Sequence, residues 1–294
     1  MRPLLIVAAP IKRPYIWDLT PQVSAVRYCL RHGLRVYLLE WLPPSRGDGF
    51  GLDAYADRAI SECVSFISSE PPATQPFLMG HSLGGTFAAI FAALEPKGAR
   101  GLVLLGAPLS FEPTTSRFRD AVVAMAPASL SPADPVPGSV VSQFSALASP
   151  GTFIWSRLAD AALSMADPVA MDIHARVERW ALDEVALPGR LVDEIVQWLY
   201  RENRFCRGLL PVRNRLVGPA SVQAPTLAIV GTSDEIAPAA SVAPFLEATA
   251  TTDVRLLECP AEIGVGLQHL AILAGRQANA RVWPEIIAWL DARR

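Results

Sequence analysis

Ser82 stands in the run GHSLG at positions 80–84, which has the G-x-S-x-G spacing typical of a serine nucleophile. The apolar run Phe77–Met79 precedes it, and a segment of small residues compatible with a helix follows. A serine at a sharp turn between a strand and a helix exposes its hydroxyl. Glycines on both sides let neighbouring backbone approach where a Cβ would clash. The pattern therefore predicts that Ser82 attacks an acyl group.

A serine nucleophile needs a general base, which in proteins of this pattern follows late in the chain, after the acid. His269 lies shortly after the last predicted strand, where that base is expected. The other histidines are placed less suitably. His81 is predicted to point away from Ser82, His32 ends an early helix, and His174 lies in a middle segment. We therefore expect His269 to be the catalytic base.

An acid that orients the histidine is expected after a late strand. Asp234 follows the apolar run TLAIVG and is placed to accept a proton from one ring nitrogen of His269, which would fix its tautomer. Glu235 is the second candidate, and Glu112, which follows an earlier strand, is the third. The sequence favours Asp234 over both.

The oxyanion formed by attack on a carbonyl needs two N–H donors in fixed positions. The residue after the nucleophile, Leu83, supplies one at the start of its helix. The loop after the first strand is expected to supply the other. Pro10 has no N–H, so Ile11 is the first available donor there.

The elements that position these residues follow an alternating pattern. Continuous apolar runs, typical of strands buried on both faces, alternate with segments of helical periodicity. This predicts a parallel, doubly wound sheet. The predicted strands are Leu4–Ala9, Leu34–Glu40, Phe77–Met79, Gly101–Gly106, Thr226–Gly231 and Asp253–Glu258. The predicted helices run from Pro21, capped by Thr20, to about His32, from Leu52 to Ile67, after Ser82, and from about Asn279 to Ala292.

The alternation stops in the middle of the chain. Residues 110–221 contain no convincing strand, but they include helical patterns at Val169–Leu182 and Leu191–Asn203. We expect this segment to be a helical cap inserted in a core of residues 1–109 and 222–294; the alternative is a separate domain. Aromatic residues of the segment are candidates for the wall of an apolar substrate tunnel, although such residues are often simply core. They are Trp155, Trp180, Trp198 and Tyr200.

Composition excludes several other classes. The 294 residues are 51% hydrophobic with a net charge of −2, which argues against disorder and gives no electrostatic case for nucleic acid binding. No run approaches the roughly 20 apolar residues of a membrane span, and the apolar run at the N-terminus is short for a secretory signal. The cysteines show no metal-binding or disulfide spacing. We therefore expect a cytoplasmic protein with no metal and no cofactor.

Several segments together resemble polyhydroxyalkanoate synthases, α/β-hydrolase-fold enzymes that polymerise hydroxyacyl-CoA. The resemblance implies an α/β-hydrolase fold, with a mainly parallel central sheet, helices on both faces and a helical cap insertion. It also implies that the family's acid and histidine fall on Asp234 and His269. The segments that carry it are RPYIWDLTP (13–21), GLRVYLLEW (33–41), LDAYADRAISECV (52–64), GHSLGGTFAAIFAALEP (80–96), VERWALDE (177–184), YRENRFCRGLL (200–210), APTLAIVGTSDEIAP (224–238), QHLAILAGRQA (268–278) and VWPEIIAWL (282–290).

One position departs from the resemblance. Those synthases usually carry cysteine as the nucleophile, and Ser82 stands at that position here. A thiolate exchanges readily with a thioester, whereas a serine ester is ordinarily discharged by water, an alcohol or an amine. Acyl-enzyme chemistry is therefore expected, whereas the serine puts polymer synthesis in question.

Three functions follow from these observations. The first is a serine acyl hydrolase, a thioesterase or esterase that acts on a small-molecule substrate with a hydrophobic acyl chain. The alternative is an acyltransferase or cyclase that passes the acyl group from CoA or a carrier protein to an acceptor other than water. A non-catalytic binding subunit is the third, but such a protein would be expected to have lost Ser82, Asp234 or His269.

Overall fold

The computed structural model describes residues 2–71 and 73–293. The strands within these described residues are short, and most of them are buried. In chain order they are β1 (Arg2–Val7), β2 (Leu34–Leu39), β3 (Phe77–His81), β4 (Leu102–Leu105), β5 (Leu210–Val212), β6 (Arg215–Val217), β7 (Thr226–Gly231) and β8 (Val254–Cys259). Six of them form one sheet in the order β2-β1-β3-β4-β7-β8, and every neighbouring pair in it is parallel. The predicted parallel sheet is confirmed.

Helices connect the strands and fill the middle of the chain. The α-helices are α1 (Ala25–Arg31), α2 (Ala59–Ser69), α3 (Leu83–Leu94), α4 (Arg117–Met125), α5 (Gly138–Ala148), α6 (Ser156–Ser164), α7 (Pro168–Ala181), α8 (Gly189–Glu194), α9 (Ala243–Glu247), α10 (Ala271–Ala274) and α11 (Trp283–Asp291). Short π-helical segments adjoin four of them, at Ala54–Arg58, Gly151–Trp155, Ile195–Arg201 and Ala278–Val282. Among the described residues, no helix combines the length and the apolar character needed to cross a membrane.

The sheet separates two hydrophobic cores because successive side chains of a strand point to opposite faces. Leu5, Leu78 and Leu104 point to one face, where they pack with residues of α2 and α3 such as Ile60 and Phe87. The alternate positions, which include Leu4, Phe77 and Val103, point to the other face and pack with residues of α1, α10 and α11 such as Trp283. Helices therefore cover both faces, as predicted.

Parallel pairing brings the carboxyl ends of the strands to one edge of the sheet. In the register, His81 of β3 is opposite Leu105 of β4, and Gly231 of β7 is opposite Cys259 of β8. The turns after these strands therefore lie side by side, although they are far apart in sequence.

Helix α1 begins one turn later than predicted. The cap is Ser24, whose hydroxyl accepts a hydrogen bond from the Arg27 N–H at 2.9 Å. Thr20, the predicted cap, accepts instead from the Val23 N–H at 3.2 Å, within a turn that precedes the helix. Both residues satisfy a local backbone donor, and pattern alone does not decide which of them opens the helix.

Residues 110–221, called the insertion below, leave the sheet after β4 and return to it at β7. They contain five α-helices, α4–α8. The predicted helical patterns at Val169–Leu182 and Leu191–Asn203 correspond to α7 and to α8 with the π-helical segment after it, but the antiparallel hairpin β5–β6 was not expected. Its two-residue turn puts Arg213 (φ 46°) and Asn214 (φ 59°) in the left-handed region. Arg213 also pairs with the buried Asp57, and Arg215 donates to the carbonyl of Leu94 at 3.1 Å. The hairpin is therefore held against the end of α3, on the return path to the sheet.

A tight steric constraint lies where α3 crosses β1, and it can be tested by adding one methyl group. A Cβ on Gly84 would lie 2.1 Å from the carbonyl oxygen of Val7. We expect Gly84→Ala to lower the free energy of unfolding by about 2 kcal/mol or more, because backbone on both sides must shift. Urea unfolding followed by circular dichroism measures this.

Gly49→Ala is the matched control, since no atom lies within 4 Å of a Cβ added there. Equal urea midpoints for the two variants would contradict the close approach.

Candidate active site

Ser82 occupies the turn between β3 and α3 with φ 55° and ψ −134°, a conformation that a residue with a side chain rarely adopts. The surrounding glycines make it possible. A Cβ on Gly80 would lie 2.5 Å from the N atom of Gly85, and one on Gly84 would meet the backbone of β1. The predicted clash at positions 80 and 84 is therefore confirmed, and the turn holds the Ser82 side chain at the carboxyl edge of the sheet.

His269 and Asp234 form a buried pair at the same edge. The His269 Nδ1 lies 2.6 Å from Asp234 Oδ2, and both side chains are almost fully buried. The other oxygen, Oδ1, accepts from the N–H groups of Ile236 at 2.8 Å and Ala237 at 3.1 Å. Burial alone would raise the pKa of the Asp234 carboxyl, but the charge and hydrogen bond of His269 and the two backbone donors hold it below its usual value. An ionised Asp234 therefore accepts the Nδ1 proton and leaves Nε2 free of it.

The Nε2 atom of His269 is buried and has no hydrogen-bond partner within residues 2–71 and 73–293. His269 and Ser82 both line the same cavity. The structure thus places Ser82 and His269 at one cavity and pairs His269 with Asp234 through Nδ1, which leaves the Nε2 atom of His269 unpaired.

Gly106, at the end of β4, leaves room for this pair. Its φ is +50°, and a Cβ there would lie 3.3 Å from both Asp234 Oδ2 and His269 Cε1. A side chain at this position would press on the hydrogen bond between the two residues.

The two alternative acids lie elsewhere. Glu235 accepts a hydrogen bond from Thr152 of the insertion, and its carbonyl accepts from the Ser116 hydroxyl at 2.7 Å. Glu112 accepts from Asn203 at 2.9 Å. The Glu235 carboxylate thus joins the insertion to the turn after β7, and the Glu112 carboxylate joins two parts of the insertion. The carboxylate that accepts the His269 hydrogen bond is that of Asp234.

His81 contacts the base, a role that the sequence did not indicate. Its Nε2 donates to the carbonyl oxygen of His269 at 2.8 Å, and the two ring centroids are 4.5 Å apart. Burial, with a smaller effect from His269, lowers the pKa of His81 to about 3. His81 is therefore neutral at physiological pH and supports the base without competing for its proton.

The predicted oxyanion donors both border the cavity. Leu83 is the first residue of α3, where backbone N–H groups lack partners within the helix. The Ile11 peptide is fixed from the insertion, because its carbonyl accepts from the Val185 N–H at 3.0 Å. Lys12, the next residue, donates to Glu184 at 2.8 Å and to Ser142 at 3.0 Å. Contacts with the insertion thus hold the loop after β1.

The cavity has a volume of about 540 Å³ and lies between the sheet edge and the insertion, within the size range of small-molecule sites. Most of its wall is apolar and comes from helices of the insertion, for example Phe118, Phe144, Val192 and Ile195. Such a wall fits a hydrocarbon chain better than a polar ligand.

Of the four aromatic candidates, the structure places two in this wall. Trp180 lines the cavity and donates from its indole N–H to the carbonyl of Arg13 at 2.7 Å, and Tyr200 lines it as well. Trp155 is 66% exposed on the surface of the insertion. Trp198 lies beneath the guanidinium of Arg204, 5.2 Å from its ring centroid. Of the candidates, Trp180 and Tyr200 therefore border the cavity, and Trp155 and Trp198 do not.

The cavity wall also has a charged section that the sequence analysis did not predict. Lys12 pairs with Glu184, and Arg157 pairs with Glu178, with its Nε 2.8 Å from Oε1. Burial lowers the pKa of Lys12, although Glu184 opposes the shift. The position of Lys12 directly after Ile11 was the available signal in the sequence.

The sequence of the chain is similar to known proteins of one fold family. A family profile described as "alpha/beta hydrolase fold" matches residues 18–261. The chain is 28% identical to the poly(3-hydroxyalkanoate) polymerase subunit PhaC of Haloferax mediterranei and 27% identical to that of Haloarcula marismortui, in each case over 99% of this chain. It spans 59% and 61% of the lengths of those two proteins.

A solved structure shows the same fold. The monoacylglycerol lipase of Paleococcus ferrophilus superposes with a TM-score of 0.60 at 19% identity, covering 99% of this chain and 95% of that one. The profile match covers most of the chain, and the six-stranded parallel sheet agrees with it. The chain belongs to the α/β hydrolase fold family.

Proposed function

We propose that this protein is a serine-dependent acyl hydrolase, a thioesterase or esterase that acts through an acyl-Ser82 intermediate on a hydrophobic acyl thioester or ester. One observation carries the proposal. The strained Ser82, the oxyanion candidates Leu83 and Ile11, and His269 border one cavity whose wall is mostly apolar, and Asp234 accepts a hydrogen bond from His269.

In the first step, the Ser82 hydroxyl oxygen attacks the acyl carbon while His269 Nε2 takes the hydroxyl proton. Asp234 stabilises the resulting imidazolium and keeps the Nδ1 proton in place. The N–H groups of Leu83 and Ile11 stabilise the negative oxygen of the tetrahedral intermediate. The intermediate collapses when the bond to the thiol or alcohol breaks, and that leaving group takes the proton from His269. An ester on Ser82 remains.

In the second step, water replaces the leaving group. His269 Nε2 takes a proton from the water as its oxygen attacks the ester carbon, and the same oxyanion donors act again. The bond to Ser82 breaks, the serine oxygen regains the proton, and the free acid leaves. The enzyme returns to its starting state, and the sum of both steps is hydrolysis.

The insertion has a separate role in this proposal. Residues 110–221 act as a cap on a core formed by residues 1–109 and 222–294, and its apolar helices hold the acyl chain. Trp180 and Tyr200 contribute to this wall. The charged section around Lys12 and Arg157 suits the polar end of the substrate, which would be bound to CoA or to a carrier protein.

A second function is favoured by the similarity to poly(3-hydroxyalkanoate) polymerase subunits. An acyltransferase or cyclase would form the same ester on Ser82 and pass it to a hydroxyl, amine or carbon nucleophile. The two proposals share the first step and differ only in what attacks the ester, so they are separated by their products.

Removing the Ser82 hydroxyl should abolish the first step. We expect Ser82→Ala to lower turnover of an acyl thioester by at least about 10³-fold, because the hydroxyl that forms the ester is removed. Labelling by a fluorophosphonate should disappear as well. Ser65→Ala, which changes an exposed serine of α2, is the control and should label like the unchanged protein. Undiminished labelling of Ser82→Ala would rule out Ser82 as the nucleophile.

Replacing Asp234 by asparagine tests the acid. The amide oxygen can still accept from Ile236 and Ala237, but the amide N–H₂ faces His269 Nδ1 and favours the tautomer with its proton on Nε2. That nitrogen can then no longer accept a proton from Ser82. We expect kcat to fall on the order of 10⁴-fold, as the triad logic predicts for the wrong tautomer.

Glu235→Gln and Glu112→Gln are matched controls for this substitution and should retain kcat within about 3-fold, since neither carboxylate contacts His269. A larger loss in either control than in Asp234→Asn would identify a different acid.

The products of the reaction decide between hydrolysis and transfer. The protein is incubated with an acyl thioester alone and with added alcohol or amine acceptors, and the products are analysed by mass spectrometry. We expect free acid to form at the same rate in every case, because water discharges the serine ester. An acylated acceptor that forms at the expense of the acid would favour the transferase proposal.

A further inference from the structure

Asp160 lies in the middle of α6 in the insertion, outside the cavity wall, and is buried with 6% of its surface exposed. Its carboxylate accepts three hydrogen bonds. Oδ1 accepts from the Gly264 N–H at 2.9 Å, and Oδ2 accepts from the Gly266 N–H at 2.8 Å and from His174 Nδ1 at 2.7 Å. The catalytic steps above do not use this second buried Asp–His pair. Burying a carboxylate costs free energy unless hydrogen bonds such as these offset the loss of water.

The two glycines belong to the loop that carries the base. Gly264 and Gly266 lie five and three residues before His269, between β8 and the short turn of the base. Their φ values of +88° and +67° are ones that side chains rarely allow. The loop therefore has a specific backbone shape, and Asp160 binds the two N–H groups that this shape presents.

The insertion also packs directly on this loop. A Cβ on Gly264 would lie 2.7 Å from the carbonyl oxygen of Ala170, and one on Gly266 would lie 3.1 Å from Val177 Cγ1, both in α7. The glycines thus let α7 touch the loop backbone, and any movement of this helix must move or release the loop.

His174 fixes the carboxylate from the other side. It lies on α7, is 7% exposed, and donates to Asp160 across the α6–α7 pair. The Ser164 hydroxyl donates to the Asp160 carbonyl at 2.7 Å, which also stabilises this turn of α6. Arg157 and Glu178 join the same two helices at the cavity wall. The α6–α7 pair is therefore a stiff unit connected to the cavity at one side and to the His269 loop at the other.

We propose that Asp160, held by His174, is a positioning residue that couples the insertion to the catalytic base. It fixes the backbone of residues 264–266 and so sets where His269 Nε2 lies relative to Ser82. The proposal rests on the proposed role of His269. A base displaced by about 1 Å can cost on the order of 10²-fold in rate. Because neither Asp160 nor His174 lines the cavity, their loss should act on the chemical step and leave substrate binding nearly unchanged.

Asp160→Asn is the first test. Asparagine has the same shape as aspartate, but its side-chain N–H₂ replaces one of the two carboxylate oxygens. That N–H₂ then faces the N–H donor of a glycine or of His174, so at least one hydrogen bond is lost. We expect kcat and the rate constant for fluorophosphonate labelling to fall about 10-fold to 100-fold, with KM for an acyl thioester changed less than about 3-fold. Asp172→Asn is the matched control. It removes an exposed carboxylate of α7 that pairs only locally with Arg176, and both constants should stay at the level of the unchanged protein.

Two substitutions of His174 test the same coupling with the Asp160 carboxylate intact, and they decide the question if Asp160→Asn does not fold. Asparagine places its N–H₂ where Nδ1 lies and keeps the donor to Asp160, whereas leucine has similar volume and no donor. We expect His174→Asn to restore most of the labelling rate that His174→Leu loses. Equal rates for these two variants would overturn the proposal.

Proton NMR measures the hydrogen bond of His269 directly in the folded protein, so a loss of overall stability alone would not change the result. A histidine Nδ1–H bonded to a carboxylate gives a resonance at very low field, and Asp234→Asn identifies the one that belongs to His269. In folded Asp160→Asn or His174→Leu, this resonance should shift or broaden. An unchanged resonance together with an unchanged labelling rate would overturn the positioning role.

His269→Ala separates this proposal from the proposed function. If His269→Ala abolishes fluorophosphonate labelling while Asp160→Asn is labelled at the rate of the unchanged protein, the role of His269 as base is supported and the positioning role of Asp160 is overturned. If His269→Ala labels normally, the proposed function itself fails.

Discussion

The backbone of Ser82 depends on the absence of side chains around it. A φ of 55° with ψ −134° is costly for any residue but glycine, and it persists only where the surroundings enforce it. Here the surroundings are glycines at positions 80, 84 and 85, each of which would push a Cβ into backbone or into Ala107. This close approach of β1, β3 and α3 directs the serine side chain outward, and the rest of the fold brings its partners to it. The parallel sheet carries Asp234 and His269 to the same edge from chain positions far away.

The positions of the strands and of the candidate site residues could largely be predicted, because they depend on local sequence patterns and on the order of residues along the chain. Strands buried on both faces are continuous apolar runs, so their positions were visible, and the predicted range of β7 agrees with its observed bounds. The pairing of His269 with Asp234 followed from chain order in this type of fold. The part that failed has identifiable causes. The turn of the hairpin β5–β6 uses Arg213 and Asn214 in left-handed conformations, without the glycine that usually marks such a turn.

The aromatic candidates show a different limit. Trp180 and Tyr200 border the cavity, whereas Trp155 and Trp198 do not. Trp198 and Tyr200 lie two residues apart in the same π-helical segment, Ile195–Arg201, so the aromatic residue type alone does not decide which side chain faces the cavity. Hydrogen bonds between distant segments, such as those of His81 and Asp160 with the His269 region, leave no periodic signal in a single sequence.

The path of the insertion has a consequence for how such a protein can change. The chain leaves β4 and returns to β7, and these two strands are hydrogen-bonded neighbours in the sheet. The cost of closing a longer or shorter loop between fixed ends grows only slowly with its length. Helices can therefore be added, removed or exchanged in the insertion without breaking the pairing of the six strands. Evolution can alter the apolar wall of the cavity while the pairing of His269 with Asp234 is kept, provided that any replacement still supplies a carboxylate to the N–H groups of residues 264 and 266.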